Sequence, residues 1–411
     1  MELTNRHTIV SINLGNFGST GSVVRNVLNE ASKCGYQTFK AFPRDKKEEP
    51  FEENDIIISS EISKKISQRI CRYIGLNGCA AFFATKRLLG KLKKINPSIL
   101  HLHNLHNSYI NLPLLFRYIK SNNISVVWTL HDCWSFTGQC PHFTFVKCDE
   151  WKSGCGNCCQ YKNYPESAYD NTRRMFRLKR KWFTGVKNMT IVTPSKWLAQ
   201  LVKQSYLSEY SVQVINNGID LEVFRPRKSD FREKYHIPEE KFVLLGVAFD
   251  WGVKKGLDVF CKLYEMLDGD VYQIVLVGVN EKTKKQLPDG MITIARTSNQ
   301  YELSQIYSAV DLFVNPTRED TFPTVNMESL ACGTPILTFE TGGSPEMIDE
   351  RTGVVVPCGD VEKMRDFVLE ISKNKNLSKD ACLQKAKDYD RKKKYAEYVE
   401  LFDVISKGMR L

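Results

Sequence analysis

The sequence predicts an α/β protein built on parallel sheets. Short apolar runs alternate with helical patterns, most clearly where a strand at Leu312 to Val314, a helix capped by Thr324 and ended by Gly333, and a strand at Ile336 to Phe339 follow one another. This order is typical of parallel sheets, in which a helix connects each strand to the next. With 411 residues, 42% of them apolar, the chain is long enough for two domains.

Acidic residues and glycines follow these two strands. In a parallel sheet the loops after the strands lie at one edge beside helix N-termini, so Asp320, Glu328 and Glu346 are expected to gather there. Carboxylates accept hydrogen bonds from sugar hydroxyls, and Gly342 and Gly343 allow backbone N–H groups to approach a sugar or a diphosphate closely. These residues favour a ligand rich in hydroxyls and phosphate; the alternative is a solvated acidic loop.

The spacing of the acidic residues resembles a known signature. An acid, seven intervening residues and Glu328, in the context Glu-Ser-Leu-Ala-Cys-Gly-Thr-Pro, is similar to the donor site of retaining glycosyltransferases with the GT-B fold, the family-four or group 1 type. Asp320 stands where that family usually has its first glutamate. Glu319 precedes it, so either residue could touch the donor sugar.

The resemblance implies two Rossmann-like, doubly wound parallel-sheet domains that face a deep cleft. Residues 1–200 are expected to form an acceptor domain, residues 201–385 a nucleotide-sugar donor domain, and residues 386–411 a helix that packs back on the first domain. It also implies transfer of a hexose-type sugar to a glycan or polyprenyl-diphosphate-linked acceptor, with retention and without a catalytic metal, in surface polysaccharide biosynthesis. A nucleotide-sugar epimerase and a zinc-stabilised nucleic-acid-binding protein are the alternatives.

Further donor-site residues follow from the resemblance. Lys255 matches the lysine of a basic pair that binds the donor diphosphate, Asp250 occupies the place of its arginine, and Lys254 is the natural substitute. Asn299 lies where the family holds the nucleotide base. With Lys255, Asp320 and Glu328 as catalytic residues, the other donor-binding candidates of this half are Glu319, Thr321, Phe322, Pro323, Thr324, Gly342, Gly343 and Glu346.

In the first half, a glycine-rich loop follows an expected strand from His7 to Asn13, and a helix is expected from Ser22 to Lys33. The glycine spacing is not the dinucleotide fingerprint, so NAD is not expected. The resemblance places Gly18, Ser19 and Gly21 near the transferred sugar.

Histidines cluster at the ends of two expected strands. His101 and His103 lie on one side of a strand and His106 lies beyond its end, which favours core or cleft-lining histidines over a metal site. His131 follows the strand from Ser125 to Leu130. The resemblance makes His131 the catalytic residue near the anomeric carbon; the alternative is a histidine bonded to a backbone carbonyl.

Six of the thirteen cysteines fall within residues 133–159. Cys155 and Cys158 form a pair with a two-residue spacer, and Cys140 and Cys148 precede it at intervals that a loop can bring together. Four thiolates suit a closed tetrahedral zinc site, which would hold the loop rather than do chemistry. Reduced buried thiols and redox chemistry are the alternatives.

Charge is unevenly distributed along the chain. The formal net charge is +11; residues 1–200 carry 29 basic and 14 acidic side chains, whereas residues 201–411 carry 29 and 33. The basic half favours an anionic partner, although a solvated basic face explains the charge equally well. The helical segment from Arg173 to Phe183 could lie on anionic lipid or turn its apolar side chains into the core. No nucleic-acid-binding signature accompanies it, so nucleic acid is not expected.

Membrane segments are not expected either. No apolar run approaches the roughly 20 residues of a membrane span, and the sequence does not open on a secretory signal pattern. We expect a cytoplasmic protein, which could also contact the inner face of an anionic membrane peripherally.

Overall fold

The computed structural model describes residues 7–45, 51–374 and 376–408. Residues 1–6 of the predicted first domain and 409–411 of the predicted C-terminal helix lie outside the described residues. The chain divides into two compact units: the first runs to Asn216 and is completed by the residues from Lys392 onward, and the second is Asn217–Arg391.

The first unit contains a seven-stranded parallel sheet. Its strands are β1 Thr8–Ile12, β2 Gln37–Phe42, β3 Asp55–Ile57, β4 Ile99–Leu102, β5 Ser125–Thr129, β6 Met189–Thr193 and β7 Ser211–Val214. They are arranged in the order β3-β2-β1-β4-β5-β6-β7. The helices that follow them along the chain are α1 Gly18–Lys33, α2 Glu61–Ile74, α3 Phe82–Ile95, α4 Leu112–Asn122, α5 Thr172–Phe183 and α6 Lys196–Lys203.

The second unit contains a six-stranded parallel sheet. Its strands are β8 Phe242–Val247, β9 Tyr272–Val277, β10 Ile292–Ile294, β11 Leu312–Asn315, β12 Ile336–Phe339 and β13 Gly353–Val356, in the order β10-β9-β8-β11-β12-β13. Its helices are α7 Phe231–Lys234, α8 Leu257–Met266, α9 Glu281–Lys284, α10 Gln300–Ala309, α11 Thr324–Ala331, α12 Val361–Asn374 and α13 Lys379–Ala386. The last helix of the chain, α14 Arg391–Ser406, lies in the first unit from Lys392 onward.

The central strands are apolar along their whole length because helices cover both faces of each sheet. Every residue of β1, β4, β11 and β12 is buried. In the first unit, Leu100 belongs to the cluster with α3 and α4, while its neighbour Ile99 belongs to the opposite cluster with α1 and α14. This arrangement, parallel strands between two helix layers, confirms the predicted α/β class with two Rossmann-like domains.

The order of the strands reverses once in each sheet. The reversal lies between β1 and β4 in the first unit and between β8 and β11 in the second. At such a switch point the loops after neighbouring strands turn to opposite sides, which opens a crevice for ligands.

The first unit extends beyond the predicted boundary at residue 200. β7 pairs in parallel with β6, with Val214 opposite Thr193, so residues 211–214 complete the first sheet. Helix α14 belongs to the same unit because Tyr398 and Phe402 share a core cluster with Val127 of β5.

Two helix starts differ from the predictions. Helix α1 begins at Gly18 rather than at Ser22, so the glycine-rich segment supplies its first turn. Thr324 does not cap α11: it is the first helical residue, and Pro323 occupies the N-cap position without a side-chain cap hydrogen bond.

The basic segment forms α5 and faces the core. Met175, Phe176 and Phe183 are buried, and Phe176 and Phe183 pack in the main cluster of the first unit. The apolar face of α5 is therefore not presented to lipid. Among the described residues, no helix combines the length and the apolar character needed to cross a membrane.

Candidate functional site

Three loops of the second unit meet at the carboxyl edge of its sheet. They follow β8, β11 and β12, which are neighbours in the sheet. The backbone N–H of Arg318 donates to the carbonyl of Lys254 at 2.8 Å, and the N–H of Gly343 donates to the carbonyl of Thr321 at 3.1 Å. The loops therefore hold one another at the switch point, where open parallel sheets bind their ligands.

Two lysine–carboxylate pairs lie in these loops. Lys254 Nζ lies 2.5 Å from Glu319 Oε2, and Lys255 Nζ lies 2.8 Å from Asp320 Oδ2. The side chain of Glu319 is 2% exposed, whereas those of the two lysines are 47% and 39% exposed. The carboxylates thus fix two ammonium groups that solvent can still reach, and the edge of the sheet presents paired charges of both signs.

Arg318 and Gly256 anchor the acidic loop to α8. The guanidinium of Arg318 makes two hydrogen bonds of 2.7 Å to the two carboxylate oxygens of Asp258. Gly256 has φ +76°, and a Cβ at this position would lie 2.5 Å from Pro316. The region does contain an arginine, but its two-fold pairing with Asp258 gives it a structural role, so Lys254 and Lys255 remain the candidates for a diphosphate.

Gly342 packs directly on the acidic loop. Its φ is +55°, and a Cβ here would lie 1.7 Å from the carbonyl oxygen of Asp320. A side chain would need both a left-handed backbone and space that the loop occupies, so glycine is required at this contact.

Replacing Gly342 with alanine is expected to displace the acidic loop. The variant should lose about 1–3 kcal/mol of stability and at least tenfold in nucleotide affinity, because the added Cβ separates Asp320 from its position beside Lys255. Urea unfolding and titration calorimetry measure the two effects. Gly269→Ala is the matched control, since a Cβ there meets no atom within 4 Å. Wild-type behaviour of Gly342→Ala in both measurements would contradict the packing argument.

Glu328 lies inside α11, and its partner is Tyr307 of α10. The Tyr307 hydroxyl donates to Glu328 Oε2 at 3.2 Å. Although part of the residue is accessible, burial of the carboxyl group raises the pKa of Glu328 to about 7, and the Tyr307 hydrogen bond opposes this shift. The protonated and ionised forms are therefore both populated near neutral pH, as is common for functional carboxyl groups.

The other predicted residues of this unit divide into two groups. Thr321 and Gly343 lie at the edge of the sheet, and Glu346 belongs to the short 3-10 helix that follows Gly343. By contrast, Phe322 is a buried core residue. Asn299 caps α10 and accepts the N–H of the residue three positions later at 2.9 Å, which gives it a structural role of its own.

Sequence reasoning missed two hydroxyl groups beside the glycine pair. Thr341 Oγ1 and Ser344 Oγ are buried, and neither has a hydrogen-bond partner within the described part of the chain. Buried hydroxyls without a partner are costly unless a ligand or water pairs with them. Their position on either side of Gly342 and Gly343 was the signal that could have identified them.

In the first unit, Gly18 and Ser19 are exposed at the N-terminus of α1. Gly21 is buried instead, and a Cβ there would lie 2.6 Å from the backbone of Asn16. Gly18 and Ser19 therefore keep their position as ligand-binding candidates, whereas Gly21 is explained by close packing of the helix on the preceding loop.

His131 stands at the end of a chain of histidines. Its Nε2 lies 3.0 Å from His103 Nδ1, and His103 Nε2 lies 3.3 Å from His101 Nδ1. His101 Nε2 lies 3.0 Å from Thr129 Oγ1, whose hydroxyl donates to the Tyr398 oxygen. His101 and His103 are fully or almost fully buried, so they are core histidines that connect His131 to the interior of the sheet.

These three histidines are neutral at pH 7. Burial lowers the pKa of His131 to about 4 and that of His101 to about 3, and it holds the pKa of His103 well below the ordinary value. In each contact of the chain one partner donates and the other accepts, so the neutral rings are joined by ordinary hydrogen bonds.

An acidic group that sequence reasoning left unassigned lies next to His131. Asp132 Oδ2 is 3.3 Å from His106 Nε2, and the Tyr164 hydroxyl is 2.9 Å from His106 Nδ1. Burial alone would raise the pKa of Asp132, but the hydrogen bond and charge of His106 outweigh it, and the pKa lies below its usual range. After β5, the ionised carboxylate of Asp132 therefore stands next to the neutral imidazole of His131.

The four cysteines predicted to bind zinc border one cavity of the first unit. All are free thiols. As the side chains stand, no three His, Cys, Asp or Glu residues of the described chain are placed to coordinate a metal ion.

The two units and their switch-point sites define a GT-B-type protein, and comparison with known families agrees. The model described as "Glycosyltransferase Family 4" matches residues 20–223, and the model described as "Glycosyl transferases group 1" matches residues 239–374. The chain belongs to the group 1, family 4 glycosyltransferases.

Relatives and solved structures extend this result. The colanic acid biosynthesis glycosyl transferase WcaC of Escherichia coli is 27% identical over 270 residues, which cover 63% of this chain and 64% of WcaC. The D-inositol 3-phosphate glycosyltransferase of Mycobacteroides abscessus is 27% identical over 188 residues, 42% of this chain and 41% of that enzyme. The chain thus matches less than two thirds of the length of these relatives.

Solved structures share the fold, and two of them serve as examples. Sucrose-phosphate synthase from Thermosynechococcus elongatus superposes with a TM-score of 0.70 at 16% identity, covering 97% of this chain and 98% of that one. The Anabaena protein HepE in complex with UDP-glucose has a TM-score of 0.64 at 11% identity, covering 96% and 99%.

Proposed function

We propose that this protein transfers a hexose-type sugar from a nucleotide diphosphate to a glycan or a polyprenyl-diphosphate-linked acceptor, with retention of the anomeric configuration. Its setting is surface polysaccharide biosynthesis at the cytoplasmic face of a membrane. The observation that carries the proposal is the pair of contacts Lys254–Glu319 and Lys255–Asp320 at the switch point of the second unit.

Charges of both signs in these contacts fit the two halves of a nucleotide sugar. A diphosphate competes with carboxylates for the lysine ammonium groups, which remain accessible to solvent. The carboxylates of Glu319 and Asp320 then accept hydrogen bonds from sugar hydroxyls. In this scheme the ligand gives new partners to both the ammonium groups and the carboxylates, so no buried charge is left unpaired.

The proposed reaction follows from where negative charge develops in the transition state. The bond between the anomeric carbon and the donor phosphate oxygen breaks, and its electron pair stays on the diphosphate, where Lys254 and Lys255 stabilise the added negative charge. The acceptor oxygen bonds to the anomeric carbon on the same face, and its proton passes to a phosphate oxygen. No protein nucleophile and no metal are needed in this scheme.

Other residues supply binding and orientation. The unpartnered hydroxyls of Thr341 and Ser344 offer donors for phosphate or sugar oxygens. In the first unit, His131 remains the catalytic candidate. As a neutral imidazole, it can form a hydrogen bond with a sugar hydroxyl without carrying a charge.

The relatives support the choice of acceptor class. WcaC is named for colanic acid biosynthesis, and a structural neighbour that covers 96% of this chain, WaaG, is described as a glycosyltransferase involved in lipopolysaccharide biosynthesis. Both names refer to cell-surface glycans. The basic balance of residues 1–200 is suited to an anionic lipid carrier or membrane surface.

A panel of nucleotide sugars tests the proposal. We expect one donor to raise the melting temperature and to be hydrolysed slowly without acceptor, with retention visible by NMR at the released or transferred sugar. Transfer to a polyprenyl-diphosphate glycan in anionic vesicles, but not to the soluble glycan, would support the lipid-linked acceptor. Release of an epimerised sugar without acceptor would support an epimerase instead, and absence of stabilisation by any nucleoside diphosphate or nucleotide sugar would contradict the donor site.

A further inference from the structure

We propose that Cys140, Cys148, Cys155 and Cys158 bind one structural zinc ion that holds together the segment between β5 and α5. This site lies wholly in the first unit, and it does not depend on the proposed function.

Five cysteines border one cavity of about 60 Å³: the four of the proposed site and Cys159, which directly follows Cys158 and is exposed. Cys140, Cys148 and the Cys155–Cys158 pair lie in three separate parts of this irregular segment, and the fold brings them to one cavity. Phe143 and Trp151 line the same cavity and shield it with apolar surface. A set of four sulfurs in an apolar shell is the usual donor set of a closed, tetrahedral zinc site.

Tight turns present two of the cysteines to the cavity. Lys147 and Asn157, the residues directly before Cys148 and Cys158, both have left-handed backbones with φ +50° and +49°. The N–H of Cys148 donates to the carbonyl of Phe143 at 3.2 Å and closes the first turn. The left-handed residues reverse the chain directly before each cysteine and so place Cys148 and Cys158 at the border of the cavity.

The second cysteine turn is tied to the start of α5. Asp170 accepts the backbone N–H of Cys158 at 2.7 Å with one carboxylate oxygen and the N–H of Thr172 at 2.9 Å with the other. Cys158 is thereby attached to the start of α5, and zinc would join it to Cys140 and Cys148.

The surroundings of Cys155 suit a thiolate. The backbone N–H of Gly138 donates to Cys155 Sγ at 3.0 Å, and a Cβ on Gly138 would lie 2.9 Å from Cys155 Cβ, so only glycine allows this approach. Lys179 is fully buried nearby; it donates to the carbonyl of Thr137 at 2.8 Å and interacts electrostatically with Cys155. Backbone N–H donors to the sulfur are one kind of group that offsets the negative charge of a zinc–thiolate centre.

A zinc ion would cross-link a segment that has little regular secondary structure. From Cys133 to Asn171 the structure contains two short 3-10 helices, Trp134–Phe136 and Glu150–Lys152, and neither strand nor α-helix. A long irregular segment gains little from backbone pairing, so a metal ion that ties its turns together stabilises it at small structural expense. The thiols do not surround a common point as they stand. Cys155 keeps the rotamer in which Gly138 donates to its sulfur, and zinc is expected to draw the other three sulfurs toward it by rotation about χ1.

Metal analysis of the full-length protein tests the proposal. Protein purified without chelator from zinc-supplemented cells is expected to hold about one zinc per chain by mass spectrometry. Cys155→Ser and Cys140→Ser should lose at least tenfold of this zinc, whereas Cys158→His, which keeps a zinc-binding donor, should retain it. Cys34→Ser and Cys358→Ser, which alter exposed cysteines outside the insert, are the matched controls.

A second measurement keeps the test decisive if a serine variant fails to fold. Removing the metal from the wild-type protein should lower its melting temperature, and zinc but not magnesium should restore it. Cobalt in place of zinc should give the visible absorption of a tetrahedral thiolate site. Wild-type protein that contains no stoichiometric zinc and gives no such spectrum would overturn the proposal, as would full zinc content in folded Cys155→Ser.

Discussion

Lys255→Ala is expected to lower kcat by about 10²–10³-fold with a smaller change in nucleotide affinity. The Lys255 ammonium group lies 2.8 Å from Asp320 and is 39% exposed, so it is oriented by the protein and still accessible to the leaving diphosphate. The negative charge on that group increases as the glycosidic bond breaks. A prepositioned cation therefore stabilises the transition state more than the bound donor.

The experiment compares Lys255→Ala with Lys255→Arg and Lys262→Ala. Lys262 is an exposed lysine of α8, a few residues further along the chain, and its loss should leave kcat unchanged. Arginine keeps the charge and should restore part of the activity. Steady-state kinetics with saturating acceptor separate kcat from KM. An unchanged kcat in Lys255→Ala would remove this residue from the proposed machinery and would point to Lys254 as the main diphosphate contact.

Glu328→Gln is expected to weaken nucleotide-sugar binding by on the order of 10–100-fold, because one charged acceptor of a hydroxyl hydrogen bond contributes about 1.5–3 kcal/mol. The variant should also lose a dependence of nucleotide-sugar affinity on pH that the wild type shows. Burial raises the pKa of Glu328 to about 7, so in the wild type the ionised acceptor is lost as pH falls through 7, and donor affinity should decline below that pH. Glutamine does not titrate, so the decline should be absent in the variant.

The stability of the ligand-free protein should change with pH in the direction opposite to donor affinity. A carboxyl group whose folded pKa is raised binds its proton more tightly in the folded state. The unfolding free energy therefore falls as pH rises from the ordinary value of 4.5 to about 7, by at most about 1.4 kcal/mol per pH unit. Above pH 7 Glu328→Gln should thus be more stable than the wild type, although it binds the donor less well.

Urea unfolding and calorimetric titration between pH 5 and 8 measure both effects. Glu362→Gln, an exposed glutamate of α12, is the control and should alter neither. A Glu328→Gln variant with normal nucleotide-sugar affinity at pH 8 would be a serious objection to the donor site as described. Equal stability of variant and wild type at all pH values would show that folding does not bury the Glu328 carboxylate.

Much of the candidate site was predictable because it depends on local order along the chain. Lys254 and Lys255 follow β8, and Glu319 and Asp320 follow β11; parallel pairing of β8 with β11 then brings the loops to one edge. The partners within the pairs were not predictable. Which lysine meets which carboxylate depends on loop packing, above all on the contact of Gly342 with Asp320.

The sequence alone determined the α/β class, through its alternation of apolar strands and helices. The glycines and the spacing of the acidic residues after β11 indicated which edge of the sheet holds the candidate site. These features could be recognised because they follow from backbone periodicity. The tertiary structure decided the rest: burial of Glu328 beside Tyr307, the histidine chain behind His131, and the cavity that the clustered cysteines border. Each of these depends on contacts between residues far apart in the sequence, and such contacts exist once the helices pack against the sheets.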